Sequence, residues 1–287
     1  MDDGGPIWTP SPELTAAAEV TALMRRVGAE DYNALWRWSV ADLPRFWATV
    51  WDWFGIRADG DPSIVLAGAG MPGARWFPDV ALSFPEHVFL DKRDDDVAIV
   101  HAREDGAQGE WTWRRLREET ARIRAGLRAM GVGRGDRVVG YLPNVPETIA
   151  AFLAVSSLGA VWSCCSPDFG ARTVIDRFAQ IEPTVLLAVQ GYRYGGKEFD
   201  RSPVVEQFRA ALPTLRRSVL LGSSDWDRAF GPTEEPLEFA RVPFDHPLWV
   251  VYSSGTTGLP KAIVHGHGGP LLEHLKNWRW SQDLRPG

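Results

Sequence analysis

The chain has 287 residues, of which 45% are hydrophobic, and its 37 acidic and 31 basic side chains give a net charge of −6. This composition is ordinary for a globular protein with a packed core. Because neither sign of charge forms a long block, we expect neither nucleic acid nor an anionic membrane surface as the main partner.

The two cysteines, Cys164 and Cys165, are neighbours in the sequence. Neighbouring cysteines cannot join distant segments or supply a metal-ligand spacing, so we expect buried packing residues and a reducing, cytoplasmic setting.

The amino terminus carries Asp2 and Asp3 and has no apolar signal-peptide core, which predicts no export. The apolar run from Ile149 to Cys165 would span about 25 Å as a helix, short of a ~30 Å bilayer core, and predicts a buried helix followed by a buried strand.

Residues 1–85 are predicted to form a helical, tryptophan-rich amino-terminal layer that ends in a linker. Trp47, Trp51 and Phe54 recur at helical spacing, which favours core packing over a ring-binding platform. The glycines and prolines from Ala67 to Pro78 indicate the linker into the second region.

Residues 86–287 are predicted to be an α/β domain, because strand and helix patterns alternate from Trp111 onward. Leu116, Ile123, Leu127 and Met130 place one apolar stripe along a helix that Gly131 can cap. The other predicted helices are 146–157, 171–181 and 204–212. The predicted strands are 137–142, 160–164, 184–189, 218–221 and 248–252, and the last of these is predicted to be buried. This alternation implies a mainly parallel sheet with helices on both faces.

A polar loop follows the last of these strands, at 252–261. It combines the hydroxyls of Ser253, Ser254, Thr256 and Thr257 with two glycines, Gly255 and Gly258, and it ends in Lys261. Glycine lets successive backbone amides face an anion, hydroxyls add donors, and the ammonium supplies positive charge, so the loop predicts a phosphate site. A polar turn without a ligand is the alternative.

Two common nucleotide motifs are excluded. In a Walker A loop a lysine follows glycine directly and a hydroxyl follows the lysine, whereas Leu259 and Pro260 precede Lys261 and Ala262 follows it. The glycines at 131, 133 and 135 follow a helix and precede a strand, the reverse of the dinucleotide-binding order.

All ten residues from Tyr252 to Lys261 resemble the signature loop of the adenylate-forming enzymes, a family that includes acyl-CoA synthetases, luciferases and peptide adenylation domains. The resemblance implies that this loop closes over the β- and γ-phosphates of ATP while a carboxylate attacks the α-phosphorus, with Mg²⁺ bound. The residues implied to bind ATP are Ser253, Ser254, Gly255, Thr256, Thr257, Gly258 and Lys261. Of these, Lys261, Thr256 and Thr257 are implied to be catalytic.

Segments 158–170, 191–197 and 262–269 resemble the acetoacetyl-CoA synthetases within this family. The resemblance implies acetoacetate, ATP and CoA as the small-molecule substrates, and Arg193 on the nucleotide part of CoA. An equally good interpretation is that Arg193 is a surface arginine in a glycine-rich loop and has no role in CoA binding.

We hypothesise that His265 donates a hydrogen bond to the 3-oxo group of acetoacetate. The pair His265 and His267 lacks a third ligand, so no metal ligand is assigned.

Two alternatives stay open. One is a synthetase for another short acid, such as acetate or propionate, and the other is a non-catalytic domain that pairs with a second chain. Members of the family are longer than 287 residues, and the acidic magnesium residue, the ribose aspartate and the mobile lid fall in the part that is missing here. We therefore expect an incomplete amino-terminal portion that binds ATP poorly and is inactive alone. The sequence predicts no oligomeric state.

Overall fold

The computed structural model describes residues 7–68, 70–104, 106–254 and 258–285. The helices are α1 Pro12–Ala17, α2 Glu19–Val27, α3 Tyr32–Ala41, α4 Leu43–Phe54, α5 Phe84–Val88, α6 Trp113–Ala129, α7 Pro146–Ser157, α8 Ala171–Phe178, α9 Ser202–Ala211, α10 Ser224–Ala229 and α11 Gly268–Lys276, with a 3₁₀-helix at Ala179–Ile181 and a π-helix at Asn277–Ser281. The strands are β1 Ala58–Gly60, β2 Leu66–Ala67, β3 Arg75–Trp76, β4 Val80–Leu82, β5 Val97–Ala102, β6 Gln108–Thr112, β7 Arg137–Tyr141, β8 Val161–Cys165, β9 Val185–Val189, β10 Gly191–Tyr194, β11 Lys197–Asp200, β12 Arg217–Leu221, β13 Val242–Pro243, β14 Pro247–Ser253 and β15 Lys261–Gly266.

These elements form two compact units. One consists of the described residues of Met1–Arg57, Asp61–Asp79 and Gly269–Gly287, and the other consists of those of Ala58–Gly60 and Val80–Gly268. The division of the chain at residue 85 stays a prediction. Among the described residues, no helix is both long and apolar enough to cross a membrane.

The first unit has an aromatic core, as the spacing of its tryptophans predicts. Trp51 on α4 is buried and stacks on Phe77, with ring centroids 4.6 Å apart. Trp280 packs edge-on against Trp53 at 5.6 Å. Other tryptophans stay in solvent, and Trp36 is 58% exposed. The aromatic residues of α4 therefore serve packing, which confirms that interpretation of the helical spacing.

The second unit is built on a six-stranded sheet with the order β12-β9-β7-β8-β14-β15. Neighbouring strands are parallel from β12 to β14, and β15 runs antiparallel to β14. The prediction of a mainly parallel sheet is confirmed.

Helices cover both faces of this sheet. On one face, Val138 of β7 belongs to a core with Leu127 of α6 and Leu153 of α7. On the other face, Val139 of β7 packs in a core with Phe178 of α8 and Phe208 of α9. Consecutive residues of a strand point to opposite faces, so β7 contributes to both cores.

Sequence signals explain where several of these helices begin and end. The Thr112 side chain caps α6 by accepting a hydrogen bond from the Arg115 amide at 3.2 Å. Gly131 follows the same helix with a φ of +82°, the left-handed conformation that glycine adopts without strain. Pro146 occupies the first turn of α7, where its missing amide costs no helical hydrogen bond.

The segment predicted to be helical over 171–181 is helical throughout, as an α-helix to Phe178 and then as the 3₁₀-helix Ala179–Ile181. Two other predictions need correction. The strand expected to be buried over 248–252 is buried on one face only, because Leu248 and Val250 are covered while Val251 is 45% exposed. Cys164 was expected to be buried and is instead exposed, on the face of the sheet that α7 covers only in part.

Candidate active site

The parallel strands bring their carboxyl ends to one edge of the sheet. In chain order β7 is the first of these strands, and it lies between β8 on one side and β9 on the other. The connections that leave β7 and β8 therefore run in opposite directions, which creates a topological switch point between β7 and β9. Ligands of open α/β sheets bind at such a point, beyond the carboxyl ends of the strands.

A cleft of about 500 Å³ lies at this switch point. Its lining residues follow β7, β9 and β12 or belong to the β5–β6 and β10–β11 hairpins: Ala102, Arg103, Glu104, Pro143, Asn144, Val145, Glu147, Val189, Gln190, Gly191, Tyr192, Arg193, Leu221 and Gly222. The charged members are two arginines and two glutamates. The cleft is thus polar, with exposed cations at its rim.

Arg193, predicted to contact CoA, is one of these cations. It lies on β10, opposite Glu198 on β11, and its side chain is exposed. Among the described residues it forms no ion pair. Arg201, farther along the chain, holds the hairpin by donating to the Tyr192 hydroxyl at 3.0 Å and to the Pro167 carbonyl at 2.8 Å. Arg193 is therefore an accessible cation on an anchored hairpin.

The predicted phosphate loop leaves the same edge of the sheet, from the carboxyl end of β14. Strands β14 and β15 form an antiparallel hairpin in which Ser253 lies opposite Lys261. Ser253, Ser254, Gly258 and Lys261 are all exposed, and Gly258 has a φ of +97°. The other predicted residues of the loop, Gly255, Thr256 and Thr257, lie outside the described residues. In the order of strands β14 stands two positions from β7, about 10 Å away at the usual strand spacing.

Both ends of this loop are tied to the α8 region. The Tyr252 hydroxyl donates to the Arg177 carbonyl at 2.8 Å, and burial raises the pKa of Tyr252 to about 12, so it stays a donor at neutral pH. The Gln180 side-chain amide donates to the Pro260 carbonyl at 3.1 Å. The sequence analysis missed Gln180, since an exposed glutamine 80 residues away carries no local signal of this contact.

The two histidines after the loop differ in environment. His265 on β15 is exposed, and its ring lies 6.1 Å from the ring of Trp249. His267 is fully buried and accepts a hydrogen bond at Nδ1 from the Phe84 amide at 3.2 Å. Burial, with a smaller contribution from neighbouring His246, lowers the pKa of His267 to about 3. His267 is therefore a neutral core residue, while the substrate role of His265 stays a prediction.

An apolar hollow of about 300 Å³ opens between α7 and strands β8 and β14. Its lining residues are Thr148, Ile149, Phe152, Trp162, Ser163, Cys164, Trp249, Val250 and Val251. Trp249 joins this hollow to His265 through their ring contact. Cys164 is accessible here, yet desolvation by the surrounding residues raises the pKa of its thiol to about 12, which disfavours the nucleophilic thiolate.

The described residues contain no group of three or more His, Cys, Asp or Glu side chains placed to hold a metal ion. Besides Glu104 and Glu147, the side chains that face the cleft and the loop include cations, hydroxyls and amides. Such donors suit a phosphate-bearing ligand more than a bare metal ion.

Comparison with known proteins gives two family matches. Residues 86–285 match the model of the AMP-binding enzymes. Residues 32–86 match the model of the acetyl-coenzyme A synthetase amino terminus. The first match covers most of the chain, including the cleft, the hollow and the loop.

Individual relatives agree with these matches. The chain is 38% identical to acetoacetyl-coenzyme A synthetase of Rhizobium meliloti (strain 1021) over 98% of its length, and 40% identical to acetoacetyl-CoA synthetase of Macaca fascicularis over 86%. Its fold matches the structure of acetoacetyl-CoA synthetase from Streptomyces lividans with a TM-score of 0.93 and 46% identity, over 98% of this chain. The chain spans 40–46% of the length of these proteins.

Proposed function

Because the chain belongs to the family of AMP-binding enzymes, we propose that its protein is an acid–thiol ligase that activates acetoacetate with ATP. In the first step the acetoacetate carboxylate attacks the α-phosphorus of ATP, forming an acyl-adenylate as the bond to pyrophosphate breaks. In the second step the CoA thiol attacks the acyl carbonyl, forming a thioester and releasing AMP. The same relatives that support the family are named for this acid.

One observation carries this proposal. The loop from Ser253 to Lys261 leaves the carboxyl edge of a parallel sheet, at the edge where the switch-point cleft opens. That edge is where α/β sheets bind nucleotides. Ser253, Ser254 and Lys261 are exposed there.

The proposed role of the loop is electrostatic. Attack of a carboxylate on a polyphosphate brings two anions together, so fixed donors that face the phosphates lower the barrier. We assign this role to Ser253, Ser254, Gly258 and Lys261, and by sequence to Gly255, Thr256 and Thr257. The ties from Tyr252 and Gln180 fix the ends of the loop so that its donors need little reorganisation.

CoA is proposed to bind in the switch-point cleft, with its nucleotide phosphates near Arg193. Support comes from the exposure of this guanidinium and from its geometric match to phosphate oxygens. The acyl group is proposed to lie near Trp249 and His265, with the His265 imidazole donating to the 3-oxo group. Trp249 lines the apolar hollow, which suits a short carbon chain.

The proposal includes Mg²⁺ because the resemblance to the family implies it. The described residues do not provide a set of ligands for it. Mg²⁺ commonly binds with few protein ligands, completed by waters and substrate phosphates. No step above depends on a particular metal ligand of this chain.

We also propose that the protein works in the cytoplasm, since both cysteines are free thiols.

The proposal is tested by ATP–pyrophosphate exchange with a panel of short acids. The assay is run on this chain and on the longer protein that carries it, with acetoacetate, butyrate, acetate and propionate. Exchange that depends on acetoacetate supports the proposal, whereas exchange with every acid except acetoacetate contradicts it.

In the His265→Ala variant we expect the preference for acetoacetate over butyrate to fall. An unchanged ratio of exchange with acetoacetate to exchange with butyrate counts against the role of His265.

A second candidate is an acetate- or propionate-activating synthetase. The match of residues 32–86 to the acetyl-coenzyme A synthetase amino terminus favours it. The same acid panel separates the two candidates, because a two-carbon acid would then support exchange better than acetoacetate.

A further inference from the structure

Gln180 contacts the carboxyl end of the loop that runs from Ser253 to Lys261. It lies in the 3₁₀-helix Ala179–Ile181, which continues α8. Its side-chain Nε2 donates to the Asp176 carbonyl at 2.7 Å and to the Pro260 carbonyl at 3.1 Å. A carboxamide nitrogen carries two hydrogens, so one hydrogen bond stays on the helix and the other crosses to the loop.

The bond within the helix orients the Gln180 side chain toward the loop. Asp176 lies in the last turn of α8, where backbone carbonyls are available to side-chain donors. A glutamine side chain loses considerable rotamer entropy when it is ordered. Because the bond to Asp176 already restricts this side chain, the additional bond to Pro260 costs less of that entropy.

The helix α8 is a firm base for this contact. Its residues Val174 and Phe178 are fully buried in the core on that face of the sheet. The helix also holds the other end of the loop, because its Arg177 carbonyl accepts from the Tyr252 hydroxyl at 2.8 Å. The Arg177 guanidinium lies 5.8 Å from the centre of the Tyr252 ring. Both ends of the loop are therefore attached to one helical segment that the core holds in place.

The bond to Pro260 restricts Lys261, the residue that follows it. The Pro260 carbonyl and the Lys261 nitrogen belong to the same planar peptide group. On the neighbouring strand, Ser253 lies opposite Lys261 in the β14–β15 hairpin. The backbone of Lys261 is thus held from two sides, by Gln180 and by β14, while its side chain stays exposed.

We infer that Gln180 is a positioning residue for Lys261: it holds the Pro260 peptide group so that the lysine ammonium faces the phosphates of ATP, and it does not touch ATP itself. The inference rests on the proposed function, which supplies the phosphates. A charge stabilises a transition state best when it is oriented before the reaction begins. Without the Gln180 donor the peptide group before Lys261 is free to rotate, and the ammonium has to be reoriented in each turnover.

The test is ATP–pyrophosphate exchange with acetoacetate in the longer protein that carries this chain. Gln180→Met keeps the length of the side chain and removes both N–H donors. Its maximal exchange rate should be about fivefold lower than that of wild type, which corresponds to the ~1 kcal/mol of one hydrogen bond. Its urea unfolding midpoint should be unchanged, because Gln180 is exposed. The matched control, Gln207→Met at an exposed position on α9, should keep the wild-type rate.

A double-mutant cycle with Lys261→Ala separates positioning from a general structural effect. If Gln180 acts only through Lys261, Gln180→Met should not slow exchange further in the Lys261→Ala background. Equal rates in wild type and Gln180→Met, or a similar loss in both backgrounds, would overturn the inference and leave the proposed function intact. If Lys261→Ala exchanges as fast as wild type, the proposed role of Lys261 fails, and the inference fails with it.

A second readout does not depend on activity. In NMR spectra of the longer protein labelled with ¹⁵N-lysine, the Lys261 amide signal is identified by its loss in Lys261→Ala. This signal should shift in Gln180→Met, because the Lys261 nitrogen shares a peptide group with the Pro260 carbonyl, and it should keep its position in Gln207→Met. A Lys261 signal at the wild-type position in Gln180→Met would contradict the inference.

Discussion

Buried His267 makes the stability of the chain dependent on pH in a way the structure quantifies. Its side chain is 0% exposed, and its Nδ1 accepts the Phe84 amide hydrogen, so a proton at Nδ1 would break that bond. Burial, and secondarily His246 with its ring 5.9 Å away, lowers the pKa of His267 from 6.5 to about 3. Between these two values the unfolded chain binds a proton that the folded chain excludes.

The sign and size of the effect follow from that difference. Because the folded pKa is lowered, the contribution of His267 to stability is fully present above pH 6.5 and is lost as the pH falls toward 3. Each pH unit in this window costs about 1.4 kcal/mol. At pH 5.0 the free energy of unfolding should therefore be lower than at pH 7.5 by about 2 kcal/mol from this group alone.

The assay is urea unfolding of wild type and His267→Asn at pH 7.5 and pH 5.0. Asparagine is chosen for this substitution because its amide oxygen can accept the Phe84 amide hydrogen and its side chain does not titrate. Wild type should lose about 2 kcal/mol more than His267→Asn between the two pH values. His265→Asn, an exposed position on β15, should retain the wild-type pH dependence. Equal losses in wild type and His267→Asn would refute the reasoning, whatever their absolute stabilities.

Three further predictions concern single side chains. Lys261→Ala in the longer protein should reduce pyrophosphate exchange about 100-fold, the effect of losing roughly 3 kcal/mol of transition-state stabilisation, and leave the circular dichroism spectrum unchanged because Lys261 is exposed. Trp51→Ala should lower the free energy of unfolding by about 3–5 kcal/mol because Trp51 stacks on Phe77 in a core, while Trp36→Ala, at a 58% exposed site, should cost below about 0.5 kcal/mol in urea titrations. Iodoacetamide should modify Cys164 slowly at pH 8 and about tenfold faster per pH unit up to pH 10, measured by mass spectrometry, because only its thiolate reacts.

Each of these has an outcome that contradicts it. Exchange within a factor of two of wild type in Lys261→Ala would remove the lysine from the proposed site. Similar losses of stability in Trp51→Ala and Trp36→Ala would contradict the packing role of α4. Rapid labelling of Cys164 at pH 7 would show a lowered thiol pKa in place of a raised one.

The sequence was most informative where a local signal has a direct physical meaning. The helix predicted over 146–157 is observed over the same residues, because Pro146 fits the first turn and an apolar run follows it. Alternating strand and helix patterns predicted the parallel sheet. The order of its strands was not predictable, since order depends on which strands pair across the whole domain and no local pattern records that.

The features that the sequence analysis missed depend on contacts between segments that are far apart in the chain. Cys164 belongs to an apolar strand that looks fully buried in sequence, yet α7 covers that face only in part and leaves the residue in a hollow. The contact of Glu104 with Gly195 joins two hairpins that are far apart in the chain. The sequence of one hairpin therefore gives no indication that it contacts the other. The phosphate loop could be predicted from the sequence because the chemistry that suggests it is contained in ten consecutive residues.

Hydrogen–deuterium exchange of the longer protein with and without ATP tests the central claim most directly. If the loop after β14 holds the terminal phosphates, peptides that cover residues 253–261 should exchange more slowly with ATP than with adenosine. Protection that appears elsewhere with both ligands, while exchange in 253–261 stays the same, would contradict the account.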